Sequence, residues 1–187
     1  PEEKVMTPMM ELIDDHFRYT ETDDLQMIEL PYKGYELSMF VFLPKENDLS
    51  LVEESLNAEK LNELQKQMQN QLVYLYFPKF QFDIKYSMVE TLADMGMPLA
   101  FTWPGADFSG MDGTNMLYID ELLHYALIDV DEKGTTAIAA TALFVGVGSA
   151  APSEPVTFRA DHPFVFLIQE KSTGNILFMG KVVDPSK

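Results

Sequence analysis

The 187 residues contain no cysteine, one tryptophan and three histidines. The missing thiols exclude disulfides, thiolate metal sites and a cysteine nucleophile, and leave the redox compartment undefined. His16, His124 and His162 form no pair at metal-ligand spacing, so neither zinc nor any other metal is expected. Basic residues are scarce. Thirteen Lys and Arg face thirty Asp and Glu, for a net charge of -17. A surface of that sign repels phosphate backbones, so nucleic acid is not an expected partner. No apolar run approaches the roughly 18 residues of a membrane span, so no membrane partner is expected. Pro-Glu-Glu-Lys at the start lacks the basic and apolar blocks of a signal peptide. Gly-x-Ser-x-Gly and the P-loop are both absent, and the many carboxylates are scattered. Composition and motifs therefore point away from an enzyme and imply no cofactor.

Apolar residues make up 47% of the chain, enough for a sizeable core. Gln26–Leu30 and Leu37–Leu43 are apolar runs flanking Pro31-Tyr32-Lys33-Gly34, a hairpin pattern ending at Pro44. Lys45–Ser50 reads as a loop. Glu53–Gln71 places Leu56, Leu61, Leu64 and Met68 at helical spacing, for one or two helices. Leu72–Phe77, continued by Phe80, Phe82 and Ile84, alternates as a strand does. Ser87–Met95 reads as a short helix closed by Gly96 and Pro98. Trp103–Asn115 is a loop pattern, and Met116–Val130 reads as one long strand. Phe164–Gln169 and Ile176–Val183 are two more strands, joined by a tight turn over Lys171–Asn175. The expected class is α+β, strand-rich, with few helices.

One segment stands apart. Gly134–Ser149 carries no charge and is built of small and β-branched residues, following the acidic Asp129–Glu132. As a core element it could be strand or helix, since periodicity does not choose between them. In period 2, one face carries Thr135, Ala137, Ala139, Thr141, Leu143, Val145 and Val147. The other carries Thr136, Ile138, Ala140, Ala142, Phe144, Gly146 and Gly148. The first face is small at its start and branched apolar later, so the segment is competent to become a central strand even if it begins as a loop.

Several motifs, in order, resemble the C-terminal half of the serpins. They are Tyr76-Phe77-Pro78-Lys79-Phe80, Ala106-Asp107-Phe108-Ser109-Gly110, Leu123-His124-Tyr125-Ala126, and Val130-Asp131-Glu132-Lys133-Gly134-Thr135. Phe158–Phe164 and Leu177-Phe178-Met179-Gly180-Lys181-Val182 complete the series, so the resemblance covers the chain from end to end. It implies one serpin domain portion over residues 1–187, with hinge and reactive loop at about 132–155 and closing strands over 156–185.

The resemblance also implies a mechanism. A serine protease cleaves the exposed loop and forms an acyl-enzyme. The cut loop then inserts into a large sheet, and the protease is distorted before deacylation. Counting along the loop from Glu132 places the reactive bond at Gly148–Ser149, with Val147–Gly148 as the alternative. The hinge comprises Glu132, Gly134, Thr135, Thr136, Ala137, Ile138, Ala139, Ala140 and Thr141. Thr136 and Ile138 replace the family's common Glu and Ala, both on the outward face. Lys79 and Glu132 match an ion pair that braces the sheet where insertion begins. His124 matches a structural histidine behind the strands that part. Pro163-Phe164 and Phe178-Met179 read as core.

The implied partners are an elastase-like or subtilisin-like serine protease, since no Arg or Lys precedes the expected cut, and an N-terminal half of the same fold. Without that half the long strand edges would aggregate. Family resemblance favours an extracellular location. A non-inhibitory serpin (storage protein, carrier or chaperone) and a cysteine-protease inhibitor are the alternatives.

Overall fold

The computed structural model describes residues 4–132 and 154–186. Residues Pro1–Gln81 and Asp129–Lys187 make one compact unit, and Phe82–Ile128 make a second.

The first unit is organised by a seven-stranded sheet of order β7-β4-β1-β2-β3-β8-β9. Its strands are β1 (Met9–Glu21), β2 (Leu25–Pro31), β3 (Leu37–Pro44), β4 (Gln69–Pro78), β7 (Val156–Arg159), β8 (Phe164–Glu170) and β9 (Ile176–Val182). All neighbours are antiparallel except β4 and β7, which run parallel. The β2–β3 hairpin has the expected bounds to within one residue. Its turn requires left-handed backbone, at Gly34 (φ 92°) and at Tyr35 (φ 60°), and glycine takes up that demand without a Cβ penalty.

Strand β1 has no counterpart in the sequence reading. A register shift between Leu12 and Asp15 interrupts its pairing with β4. A bulge of this kind breaks the period-2 pattern that would have revealed the strand. Beyond the bulge, Phe17 and Tyr19 alternate into the core.

The helical stretch expected over Glu53–Gln71 is two short helices, α1 (Ser50–Ser55) and α2 (Ala58–Gln67). Asn57 separates them. Its side chain accepts the Lys60 N–H at 2.9 Å, which starts a new helix rather than continuing the first. Met68 is already extended, and β4 follows immediately. Val52, Leu61 and Leu64 pack on Leu25, Met27, Phe40, Phe42, Val165 and Leu167, closing one face of β2, β3 and β8. Each such large side chain contributes about 1.5–3 kcal/mol on burial.

The sheet curls. Phe77 of β4 lies 5.2 Å from Phe164 of β8, ring centre to ring centre, although three strands separate them in the sheet. Phe80 joins this cluster against Phe164 and Phe166.

β9 departs from expectation. Phe178 and Met179 are 42% and 58% exposed rather than core. β9 closes the strand order and pairs only with β8 among the described residues, and no other described element covers these two side chains.

A two-stranded ribbon pairs β5 (Phe80–Ser87) with β6 (Leu123–Val130). The long strand expected over Met116–Val130 is thus half as long. β5 spans eight residues and offers β6 a ladder of that length only. Ahead of it the backbone makes single bonds to other partners, Ile119 N–H to Ala100 O and Met88 N–H to Leu122 O. The second unit also holds α3 (Val89–Asp94), a 3-10 turn (Pro98–Phe101) and α4 (Ser109–Asp112).

Candidate functional site

The uncharged segment is flanked by two described anchors, one at Lys79, just past the end of β4, and one on β4 itself. Pro78 ends β4 and cannot donate to a ladder, so the chain turns at Lys79. The Lys79 N–H donates to Pro8 O at 3.0 Å, which fixes this corner against the lead into β1. Lys79 Nζ then forms an ion pair with Glu132 Oε1. The structure therefore brings together the two residues that the sequence singled out, some fifty positions apart. The Glu132 carboxyl is held below its ordinary range, first by the hydrogen bond from Lys79, then by a backbone N–H and by the Lys79 charge. Both side chains remain well exposed, so the pair is screened by solvent and salt.

On the far side of the segment the chain resumes as β7. Val156–Arg159 pairs in parallel with Val73–Tyr76 of β4. The Arg159 guanidinium lies 3.9 Å from the centre of the Tyr76 ring, its direct partner in the ladder. Phe158 is fully buried, and the Ala160 N–H extends the pairing to Tyr76 O at 3.0 Å. Gln26 Nε2 donates to Thr157 O at 3.3 Å. A four-residue edge strand is thus held by a buried aromatic, a cation–π contact and side-chain hydrogen bonding. The sequence reading missed the Arg159–Tyr76 contact, because strand register alone makes the two residues neighbours.

His124 lies on β6 and is exposed, its ring 5.2 Å from that of Tyr86. Gly134, Thr135, Thr136, Ala137, Ile138, Ala139, Ala140 and Thr141 of the hinge lie outside the described residues, as does the bond Gly148–Ser149 with its alternative at Val147. Among the described residues no group of three or more His, Asp or Glu side chains is placed to hold a metal.

A family model described as "Serpin (serine protease inhibitor)" matches residues 1–185. This chain belongs to the serpin family. An uncharacterized serpin-like protein of Thermococcus kodakarensis is 42% identical over 186 residues, 99% of this chain and 43% of that protein. A leukocyte elastase inhibitor of Xenopus laevis is 37% identical over 189 residues, 98% of this chain and 49% of that protein. Serpin B3 of Homo sapiens is 40% identical over 185 residues, 97% of this chain and 47% of that protein. The chain spans about half the length of the relatives it matches. Its curled, strand-rich sheet with few helices is consistent with part of a serpin fold. Serpins are in general protease inhibitors rather than enzymes, and one of these relatives is named as an inhibitor.

Proposed function

We propose that this serpin chain carries the hinge and reactive segment of a suicide-substrate inhibitor of serine endopeptidases. The observation that supports the reading is the double anchorage at β4. The uncharged segment leaves next to Glu132, tied to Lys79, and returns as β7, paired with the same strand. A bait needs both ends fixed to rigid structure so that a protease meets its middle.

In this reading the protease serine attacks the Gly148 carbonyl carbon. The Gly148–Ser149 bond breaks, the amine of Ser149 takes up a proton and leaves, and Gly148 stays esterified to the enzyme. The hinge then enters the large sheet beside β6, with the N-terminal half of the fold supplying the strand on its other side. Thr135, Ala137 and Ala139 present a small inward face to that interior. Ordering about a dozen residues costs roughly 1–2 kcal/mol each. New ladder bonds and burial of Leu143, Val145 and Val147, at about 1.5–3 kcal/mol per side chain, offset it. Val147 and Gly148 suit a small or apolar specificity pocket. The name of the Xenopus relative, leukocyte elastase inhibitor, agrees with an elastase-like target.

The test is to incubate the protein, with both halves of the fold present, with an elastase-like and a subtilisin-like protease. Denaturing gels and mass analysis then identify the products. The expected result is a detergent-stable protease adduct and a released fragment beginning at Ser149. Cleavage without an adduct would sink the trapping mechanism and leave a non-inhibitory serpin.

A further inference from the structure

The return strand β7 has four residues, stands at one end of the strand order and has β4 as its ladder partner among the described residues. So short a parallel ladder gives little hold by itself. Gln26 of β2 reaches it from outside the ladder, although β4 and β1 lie between the two strands in the order. Gln26 Nε2 donates to Thr157 O at 3.3 Å and to the Tyr19 hydroxyl oxygen at 2.8 Å.

A one-way chain of hydrogen bonds fixes which end of the amide faces β7. Lys45 Nζ pairs with Glu21 Oε2 at 3.2 Å. The Tyr19 hydroxyl donates its single proton to the same oxygen at 3.1 Å. Burial, above all, holds the Tyr19 phenol above its ordinary range, so that proton is retained. With the proton directed at Glu21, the Tyr19 oxygen has only lone pairs left to offer Gln26. Gln26 must therefore turn its NH2 group, not its carbonyl, toward Tyr19. The second N–H of that group is the one that meets the Thr157 carbonyl. The corner that carries the donor is well fixed. Gln26 stands opposite Glu21 in the β1–β2 ladder, Tyr19 stands opposite Ile28, and Tyr19 is buried.

We propose that Gln26 is a positioning residue for the reactive segment, an N–H donor that pins β7 at Thr157 O and so holds the far end of the bait in place. A bait held in an extended shape loses less freedom when a protease docks on it. That consequence rests on the inhibitory reading above; the fastening of β7 does not.

The test uses the protein with both halves of the fold present. Gln26→Glu keeps the shape and turns the donor into an acceptor, Gln26→Met removes the polarity, and Gln26→Lys restores a donor. Backbone hydrogen exchange over residues 156–160 is expected to quicken about three- to tenfold in Gln26→Glu. It quickens less in Gln26→Met and stays near the parent in Gln26→Lys, with residues 164–170 unchanged in all. Should Gln26→Glu lower the urea midpoint of the whole protein, Tyr19→Phe removes the orienting hydroxyl with Gln26 in place and quickens the same amides. The rate of the first cut in the reactive segment by an elastase-like protease falls about three- to tenfold in Gln26→Glu. The adduct-to-cleaved ratio stays at the parent value, because β7 is already severed from the hinge when insertion is decided. The cut rate is read whether or not an adduct forms, so failure of trapping leaves this test standing. The proposal is overturned if exchange over 156–160 is the same in every variant, or if Gln26→Lys behaves as Gln26→Glu does. It is overturned also if Gln26→Glu is cut at the parent rate.

Discussion

Lys171 Nζ, in the turn between β8 and β9, donates to Glu29 Oε1 at 2.7 Å, although Glu29 lies on β2 with only 2% of its side chain exposed. Arg18 Nη1 of β1 donates to the other carboxylate oxygen at 2.7 Å, and Ser38 Oγ of β3 also donates to Oε1. One buried carboxylate thereby ties three strands and a turn together. Burial alone would push its pKa up. The hydrogen bonds from Lys171 and Ser38, with the charges of Lys171 and Arg18, outweigh that and hold it down.

Glu29→Gln removes two ion pairs and leaves the shape. Breaking a fully buried pair costs about 3–5 kcal/mol. Arg18 and Lys171 are partly exposed and can regain water, so about 2–3 kcal/mol is expected here. The sign with pH follows from the lowered pKa. The carboxylate's contribution is fully present above the ordinary glutamate value of about 4.3 and is lost as pH falls through the folded value. Urea midpoints measured from pH 3 to 7 should fall on the acid side in the parent and be flatter there in Glu29→Gln.

Gly180 of β9 stands opposite Phe166 of β8, and a Cβ at Gly180 would come within 2.9 Å of the Phe166 ring. That ring is itself packed against Phe80. Gly180→Ala is expected to destabilise by about 1–3 kcal/mol through overpacking. Phe166→Leu in the same chain should recover part of the loss. Equal midpoints for parent and Gly180→Ala in denaturant titrations would show that the ring moves aside freely.

The Lys79–Glu132 pair is exposed, so its coupling is expected to depend on salt. A double-mutant cycle with Lys79→Met and Glu132→Gln, read by thermal melting, should give a favourable coupling at low ionic strength. That coupling should be largely gone by 1 M NaCl. Coupling that persists at high salt would mean that the pair is shielded from solvent.

If trapping requires insertion, an inward charge in the hinge should divert the reaction toward simple cleavage. Ala137→Arg would bury an unpaired guanidinium, at a cost of several kcal/mol. The adduct-to-cleaved ratio should fall by at least about tenfold, since each 1.4 kcal/mol on the barrier is a factor of ten in rate. The outward change Ile138→Arg should leave the ratio near that of the parent. A pair of variants with the same ratio would remove insertion from the mechanism.

Local pattern made much of this chain readable. The β2–β3 hairpin, β8, β9 and α3 follow from apolar runs, turn residues and helix stops that neighbours in sequence supply. The family was legible for a related reason. Its motifs mark corners and closing strands, such as Pro78-Lys79 and His162-Pro163-Phe164. β1 was hidden because its bulge scrambles the alternation. The length of β6 was misjudged because a strand extends only as far as its partner β5 does.

At the candidate site the sequence alone determined the character of the segment: uncharged, small on one face and apolar further on, placed after Glu132. Tertiary structure decided what it is fastened to. Lys79 and Glu132, and likewise Tyr76 and Arg159, are remote in sequence and meet only because both flanks return to β4. The exposure of Phe178 and Met179 was decided the same way. Apolar character is a property of a residue, but burial depends on whether another layer covers it, and that is a property of the assembled sheet.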